Sequence, residues 1–181
     1  MIYVFLASGF EEIEALTPVD LLRRTGLEVK TVAVGGDGNM IVGAHGIGVA
    51  CDITENEFCD EAPEVVILPG GMPGTTNLMD SEAVSFATVN TAAHGGLVCA
   101  ICAAPSIPGQ MGLLKNRNAT CFPGFEEYLD GASVVGARVV RDGNFITAKG
   151  MGCAAEFGLA IIEVLVGKQK ADEIAEAAFI K

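Results

Sequence analysis

Six cysteines, at positions 51, 59, 99, 102, 121 and 153, are the strongest nucleophiles the chain offers, and the context of one of them changes its chemistry. Cys102 follows the strand-like run 97–101 at once, and Pro105 comes three residues later, where proline suits the first turn of a helix. That spacing predicts a strand-to-helix junction with Cys102 at the helix N-terminus. The unpaired N–H groups and positive dipole end there favour a thiolate and lower its pKa. The arrangement has the form of a nucleophile elbow with cysteine in place of serine. The competing reading is an inert buried cysteine on a sheet, since cysteine is among the most buried residue types. Spacing alone leaves both open.

A reactive thiol needs partners. An acyl-transfer cysteine ordinarily uses a histidine base, and the chain has two, His45 in a glycine-rich hairpin and His94 at the polar end of a helix. Both read as surface residues, so a Cys-His dyad is not supported. The other candidate is a carboxylate. Glu11, Glu12 and Glu14 open the first helix, where acids suit the dipole. With Ile13 and Leu16 on the buried side, Glu14 lies close to that side while Glu11 and Glu12 face water. A partly buried glutamate has a raised pKa and stays protonated, able to donate to a thiolate or to move a proton.

Two weaker patterns carry less. Cys99 and Cys102 form a single CxxC, and strand alternation does not aim both sulfurs together, so zinc is not expected. Gly150-Met151-Gly152-Cys153-Ala154-Ala155 fits the GxGxxA dinucleotide pattern, but no later strand carries a ribose-binding acid, and a close-packed glycine turn explains it better.

The elements that must position these groups alternate. Apolar runs of strand length at 2–7, 28–34, 65–68, 97–101, 137–140 and 145–148 lie between helical patterns at 11–25, 81–94, 104–114, 153–166 and 168–179. Strands alternating with helices imply a mainly parallel central sheet covered on both faces. Segments 40–42 and 46–51 read as one small hairpin, and 137–141 with 144–148, joined by Asp142-Gly143, as another. In a doubly wound sheet ligands bind beyond the carboxyl ends of the strands. That rule selects the loops at 8–11, 69–74, 102–105 and 149–152. With no repeat or linker in 181 residues, the expectation is one domain over 1–181.

Composition narrows the function classes. Half the residues are hydrophobic, 19% are charged and 23 are glycine, which excludes a disordered or coiled-coil chain. Eleven basic residues against 23 acidic ones give a formal net charge of −12, which opposes nucleic-acid binding. No apolar stretch has the length a membrane span needs, and no signal peptide opens the chain, so a cytoplasmic protein with free thiols is expected.

Glu11-Glu12-Ile13-Glu14 followed by Thr17-Pro18-Val19-Asp20, then Leu68-Pro69-Gly70-Gly71, then Ala100-Ile101-Cys102-Ala103-Ala104-Pro105, together resemble the ThiJ/PfpI superfamily, in the branch of the parkinsonism-associated protein deglycase and its bacterial relatives. The resemblance runs over essentially the whole chain. It implies a flavodoxin-like three-layer α/β sandwich, a homodimer, an oxidation-prone nucleophilic Cys102, and a protonated glutamate at Glu14. It also implies an oxyanion or sulfinate pocket formed by the N–H groups of Gly71 and Ala103, with no cofactor and no metal. Departures from the family pattern matter too. Ala103 stands where the protease-like branch has histidine, which argues against a peptidase. Phe122 replaces the deglycase's histidine near the cysteine, and Met151 and Cys153 occupy positions where proline and a hydroxyl residue are common.

Two functions follow from the resemblance. One is a glyoxalase- or deglycase-type enzyme acting on small reactive carbonyls or on modified proteins and nucleotides. The other is a non-enzymatic redox sensor or chaperone in which Cys102 is oxidised to sulfinic acid.

Overall fold

The computed structural model describes residues 1–36 and 38–180. Its strands in chain order are β1 (Ile2–Ala7), β2 (Val29–Val34), β3 (Met40–Val42), β4 (Gly48–Ala50), β5 (Ile53–Thr54), β6 (Val65–Leu68), β7 (Leu97–Ile101), β8 (Asn118–Ala119), β9 (Ser133–Val134), β10 (Val139–Asp142) and β11 (Phe145–Ala148). Its helices are α1 (Glu12–Arg24), α2 (Gly74–Met79), α3 (Glu82–Ala93), α4 (Ser106–Gln110), α5 (Ala154–Val166) and α6 (Lys168–Ala177). Seven strands form one sheet in the order β10-β11-β7-β6-β1-β2-β5, parallel throughout except for the β10–β11 hairpin at one edge.

The period of two along β1 produces the layers. Ile2, Val4 and Leu6 point to one face, where they pack with Val19 and Leu22 of α1 and Phe157 and Ile161 of α5. Tyr3, Phe5 and Ala7 point to the other, against Leu78 of α2, Val84 and Ala87 of α3, and Ile107 of α4. Every residue of β1, β6, β7 and β11 is buried, as expected of strands covered on both sides. The fold is the expected flavodoxin-like α/β sandwich, and β3–β4 and β10–β11 are the expected hairpins.

Several local expectations are corrected. The helix expected over 104–114 is only the five residues Ser106–Gln110. Pro105, Pro108, Gly109 and Gly112 cannot sustain a longer one, and a Cβ on Gly109 would meet the backbone of Leu129 at 2.9 Å. The β10–β11 turn sits on Gly143-Asn144 rather than Asp142-Gly143: Asp142 pairs with Phe145 in the ladder, and its carboxylate accepts the Asn118 N–H at 2.9 Å. Helix α2 and strands β5, β8 and β9 lie outside the segments expected to be regular. On α1, the outward and inward faces differ from expectation: Glu12 is buried at 4% exposure, whereas Ile13 is 49% exposed. The reason is the β3–β4 hairpin, which folds over the start of α1. There the Glu12 carboxylate accepts the His45 backbone N–H at 2.8 Å and meets His45 Nδ1 at 2.8 Å.

Candidate functional site

The site lies where β1, β6, β7 and β11 end. Cys102 leaves β7 with φ +66°, a left-handed conformation that costs a cysteine roughly 1 kcal/mol or more and lifts its side chain off the sheet. Its N–H donates to the Ala148 carbonyl at 2.9 Å, and its carbonyl accepts the Phe122 N–H at 2.8 Å. The turn is thereby held from both sides. Since α4 starts only at Ser106, Cys102 does not occupy a helix N-terminus; instead the individual N–H groups of Ala103 and Gly71 lie near its sulfur and favour its ionised form.

Glu14 reaches the same point from α1. Glu14 is 1% exposed, its carboxylate accepts the Gly70 N–H at 3.0 Å, and the Cys102 side chain and the Met151 amide lie close enough to lower its pKa. Two sequence features bring it there. The Glu11 N–H donates to the Gly70 carbonyl at 2.9 Å, tying the first turn of α1 to the β6 loop. Pro18, one turn further along, has no N–H to offer the Glu14 carbonyl. Gly70 separates the two side chains: a Cβ there would lie 2.6 Å from Cys102 Cβ and 2.6 Å from Glu14 Oε2. Only hydrogen fits.

The electrostatics differ from the sequence expectation at the sulfur. Burial pushes the Cys102 thiol up to about 12, the Glu14 charge adds to that, and the Ala103 and Gly71 N–H groups only partly offset it. At Glu14 the direction is as expected: burial raises the carboxyl from 4.5 to about 7, against the lowering effect of its bonds to Cys102 and Gly70. Near neutral pH the pair therefore exchanges one charge at Glu14 while the sulfur keeps its proton. Such an arrangement supplies a nucleophile with its own base, not a free thiolate.

All four residues singled out from the sequence, Cys102, Glu14, Gly71 and Ala103, thus meet in space. Gly70 was not singled out as a site residue, although it lies on a selected loop and the paired glycines were its available signal; Met151 stands out in the sequence only as a departure from the family pattern, not as a neighbour of Glu14. The histidines do not join the pair. His94 is exposed and its Nδ1 lies 2.9 Å from the Asn90 carbonyl. His45 is exposed but engaged: the facing Glu12 and Glu11 carboxylates raise its pKa, and its bond lowers that of Glu12. Glu11, Glu12 and His45 are the one group among the described residues whose ligand atoms lie within 4.8 Å of one another, and in the structure they bond to each other. The phenyl ring of Phe122 is half exposed beside the Cys102 turn. All six cysteines are free: Cys51, Cys99, Cys121 and Cys153 are buried, Cys102 is partly buried and Cys59 is exposed.

Residues 1–164 match the DJ-1/PfpI family. The chain belongs to that family. It is 34% identical over 179 residues to protein dj-1beta of Drosophila melanogaster, covering 98% of this chain and 95% of that one. The crystal structure of the Drosophila protein superposes with a TM-score of 0.94, covering 99% and 97% of the two chains. The glutathione-independent glyoxalase DJR-1.2 of Caenorhabditis elegans is 31% identical over 172 residues, covering 91% and 87%. An oxidized Toxoplasma gondii DJ-1 structure is 33% identical with a TM-score of 0.90, covering 98% and 97%. Membership fits a DJ-1-type stress-response role in general terms. Among the described residues no helix is long and apolar enough to cross a membrane.

Proposed function

We propose that this DJ-1/PfpI protein is a glyoxalase- or deglycase-type enzyme that acts on reactive dicarbonyls or their adducts, with Cys102 and Glu14 as the reacting pair. The observation that carries the reading is a buried carboxyl facing a thiol across a glycine that leaves no room for a Cβ, with burial raising that carboxyl to about 7. On methylglyoxal, Glu14 takes the Cys102 proton as sulfur bonds to the aldehyde carbon. The carbonyl electron pair moves to oxygen, which the Gly71 and Ala103 N–H groups stabilise until Glu14 hands it the proton taken from sulfur, giving the hemithioacetal and a free carboxylate. Glu14 then removes the hydrogen from the sulfur-bearing carbon. Returned to the neighbouring carbon, that proton converts the enediol to a lactoyl thioester, and water releases lactate and the free thiol. The test is lactate formation without glutathione: Cys102→Ser should abolish it and Cys121→Ser should not. A wild-type protein inert toward methylglyoxal overturns the reading.

A second reading uses the same N–H groups. They suit the oxygens of a sulfinate on Cys102, and one relative bears the description oxidized. Selective oxidation of Cys102 by peroxide in intact-mass spectra, with a changed melting temperature and no turnover, would favour a sensor. Oxidation of exposed Cys59 first would count against it.

The protein is further proposed to be a homodimer. Ile13, Ile47 and Phe179, exposed at 49%, 53% and 91%, border one surface depression with Leu16 and Ile180, and a second copy would cover this apolar area.

A further inference from the structure

The loop that follows β11 has two sides. On the inner side, the Met151 amide lies near Glu14, and a Cβ on Gly150 would stand 3.9 Å from Glu14 Oε1 and 3.3 Å from the Phe122 ring. On the outer side, the same loop walls a cavity of about 380 Å³ shared with Phe122, Pro123, Arg138, Lys149, Met151 and Cys153. No carboxylate lines it, and both its charged groups are cations. Arg138 is already committed, bonding to both Glu156 oxygens at 2.9 and 3.1 Å and to the Gly152 carbonyl at 2.6 Å. Lys149 is not: its ammonium touches only the Gly136 carbonyl, at 3.5 Å, and pairs with no carboxylate among the described residues. Its backbone follows Ala148, the residue whose carbonyl accepts the Cys102 N–H.

We propose that this cavity seats the carboxylate-bearing end of the substrate, with Lys149 as the specificity-determining residue and Phe122 and Met151 packing against the carbons between. The proposal rests on Cys102 and Glu14 being the reacting pair and specifies their substrate class: 2-oxoaldehydes that carry a carboxylate a short aliphatic chain away from the carbonyls. In a chain of net charge −12, whose overall field repels anions, one ammonium with no carboxylate partner among the described residues, in a cavity whose Gly150 wall approaches Glu14, is the feature that selects for them. Replacement of the family's histidine by Phe122 then has a use, because an apolar ring accommodates the methylenes of the tail.

The test compares 4,5-dioxopentanoate, which the proposed reaction converts to 2-hydroxyglutarate, with methylglyoxal. The ratio of their kcat/KM values should fall about fivefold in Lys149→Gln, the yield of a partly exposed ion pair, and recover in Lys149→Arg. A ratio that does not change in Lys149→Gln overturns the proposal. If the wild type turns over neither compound, the enzymatic reading fails, and the cavity is judged by binding. Saturable protection of Cys102 from iodoacetamide by 2-hydroxyglutarate, lost in Lys149→Gln, would support it, and no protection would overturn it.

Discussion

Replacing Glu14 by glutamine removes an ionisation that the fold opposes, and the size of the effect follows from where that carboxyl sits. In the unfolded chain Glu14 ionises near 4.5, and in the folded protein burial holds it protonated up to about 7. Below the lower value both states are protonated and the group is neutral in its effect. Between the two values the unfolded chain gives up a proton that the folded protein keeps. Stability is therefore lost as pH rises, at 1.36 kcal/mol per pH unit, for a total of about 3 kcal/mol, and the loss is complete once the folded group also ionises. Glutamine has no proton to give up. Urea unfolding of wild type and Glu14→Gln at about pH 4 and about pH 8 isolates this contribution, because any packing cost of the amide is the same at both. The difference between the two proteins should move by about 3 kcal/mol in favour of the variant from the lower pH to the higher. A difference that stays constant refutes the assignment of a raised pKa to Glu14. The same pair of proteins tests the sulfur: without the Glu14 charge the Cys102 pKa falls, so alkylation at about pH 8 should be faster in the variant. Slower alkylation would instead mean that Glu14 assists the sulfur in the wild type, as the base that takes its proton or as an acid that stabilises its thiolate.

Gly70→Ala should destabilise the protein by about 1–3 kcal/mol in denaturant unfolding, because the new methyl overlaps both Cys102 and Glu14, and it should change the alkylation rate of Cys102. His45→Ala should cost most stability between roughly pH 4.5 and 6.5, the window in which a lowered Glu12 and a raised His45 both favour folding. The Glu12 share is lost as pH falls through its folded pKa and the His45 share as pH rises through its own, so an unfolding free energy compared at about pH 5.5 and pH 8.5 should show a smaller penalty at the higher value. Ile13→Asp should convert a dimer to a monomer in light scattering; an unchanged mass would remove Ile13 from the interface, and a monomeric wild type would dismiss the dimer.

The sheet was legible because its strands obey one rule. Segments 2–7, 65–68, 97–101 and 145–148 are short apolar runs bounded by glycine, proline or polar residues, and each is a strand with those limits. What escaped was structure set by neighbours in space. The two-residue strands β5, β8 and β9 exist only as partners to something already placed. The reversal of Glu12 and Ile13 on α1 needs the β3–β4 hairpin overhead, a contact 33 residues away that no helical wheel contains. The thiol's electrostatics escaped for the same reason: a proline three residues downstream is the sequence signal of a helix that would lower the pKa, but the first helical turn starts at Ser106 and the charge facing the sulfur is Glu14.

Proximity at the site is obtained from residues that lack or strain something local. Gly70 lacks a Cβ, which lets the thiol and the carboxyl meet across it. Pro18 lacks an N–H, which interrupts α1's hydrogen bonding at Glu14. Cys102 holds a left-handed φ that β7, Ala148 and Phe122 over-determine. Each would be a poor choice for the element it sits in, and the three converge on one pair of side chains. A sequence constrained by folding alone would have no reason to combine them there, and it would have less reason to bury a carboxyl against a sulfur. The unfavourable ionisation of Glu14 is thus the stability cost of keeping a carboxyl, the proposed base, within reach of Cys102. Gly70→Ala and Glu14→Gln act on opposite sides of that cost: the first adds strain and should weaken the fold, whereas the second relieves it and should strengthen the fold at high pH while ending proton transfer.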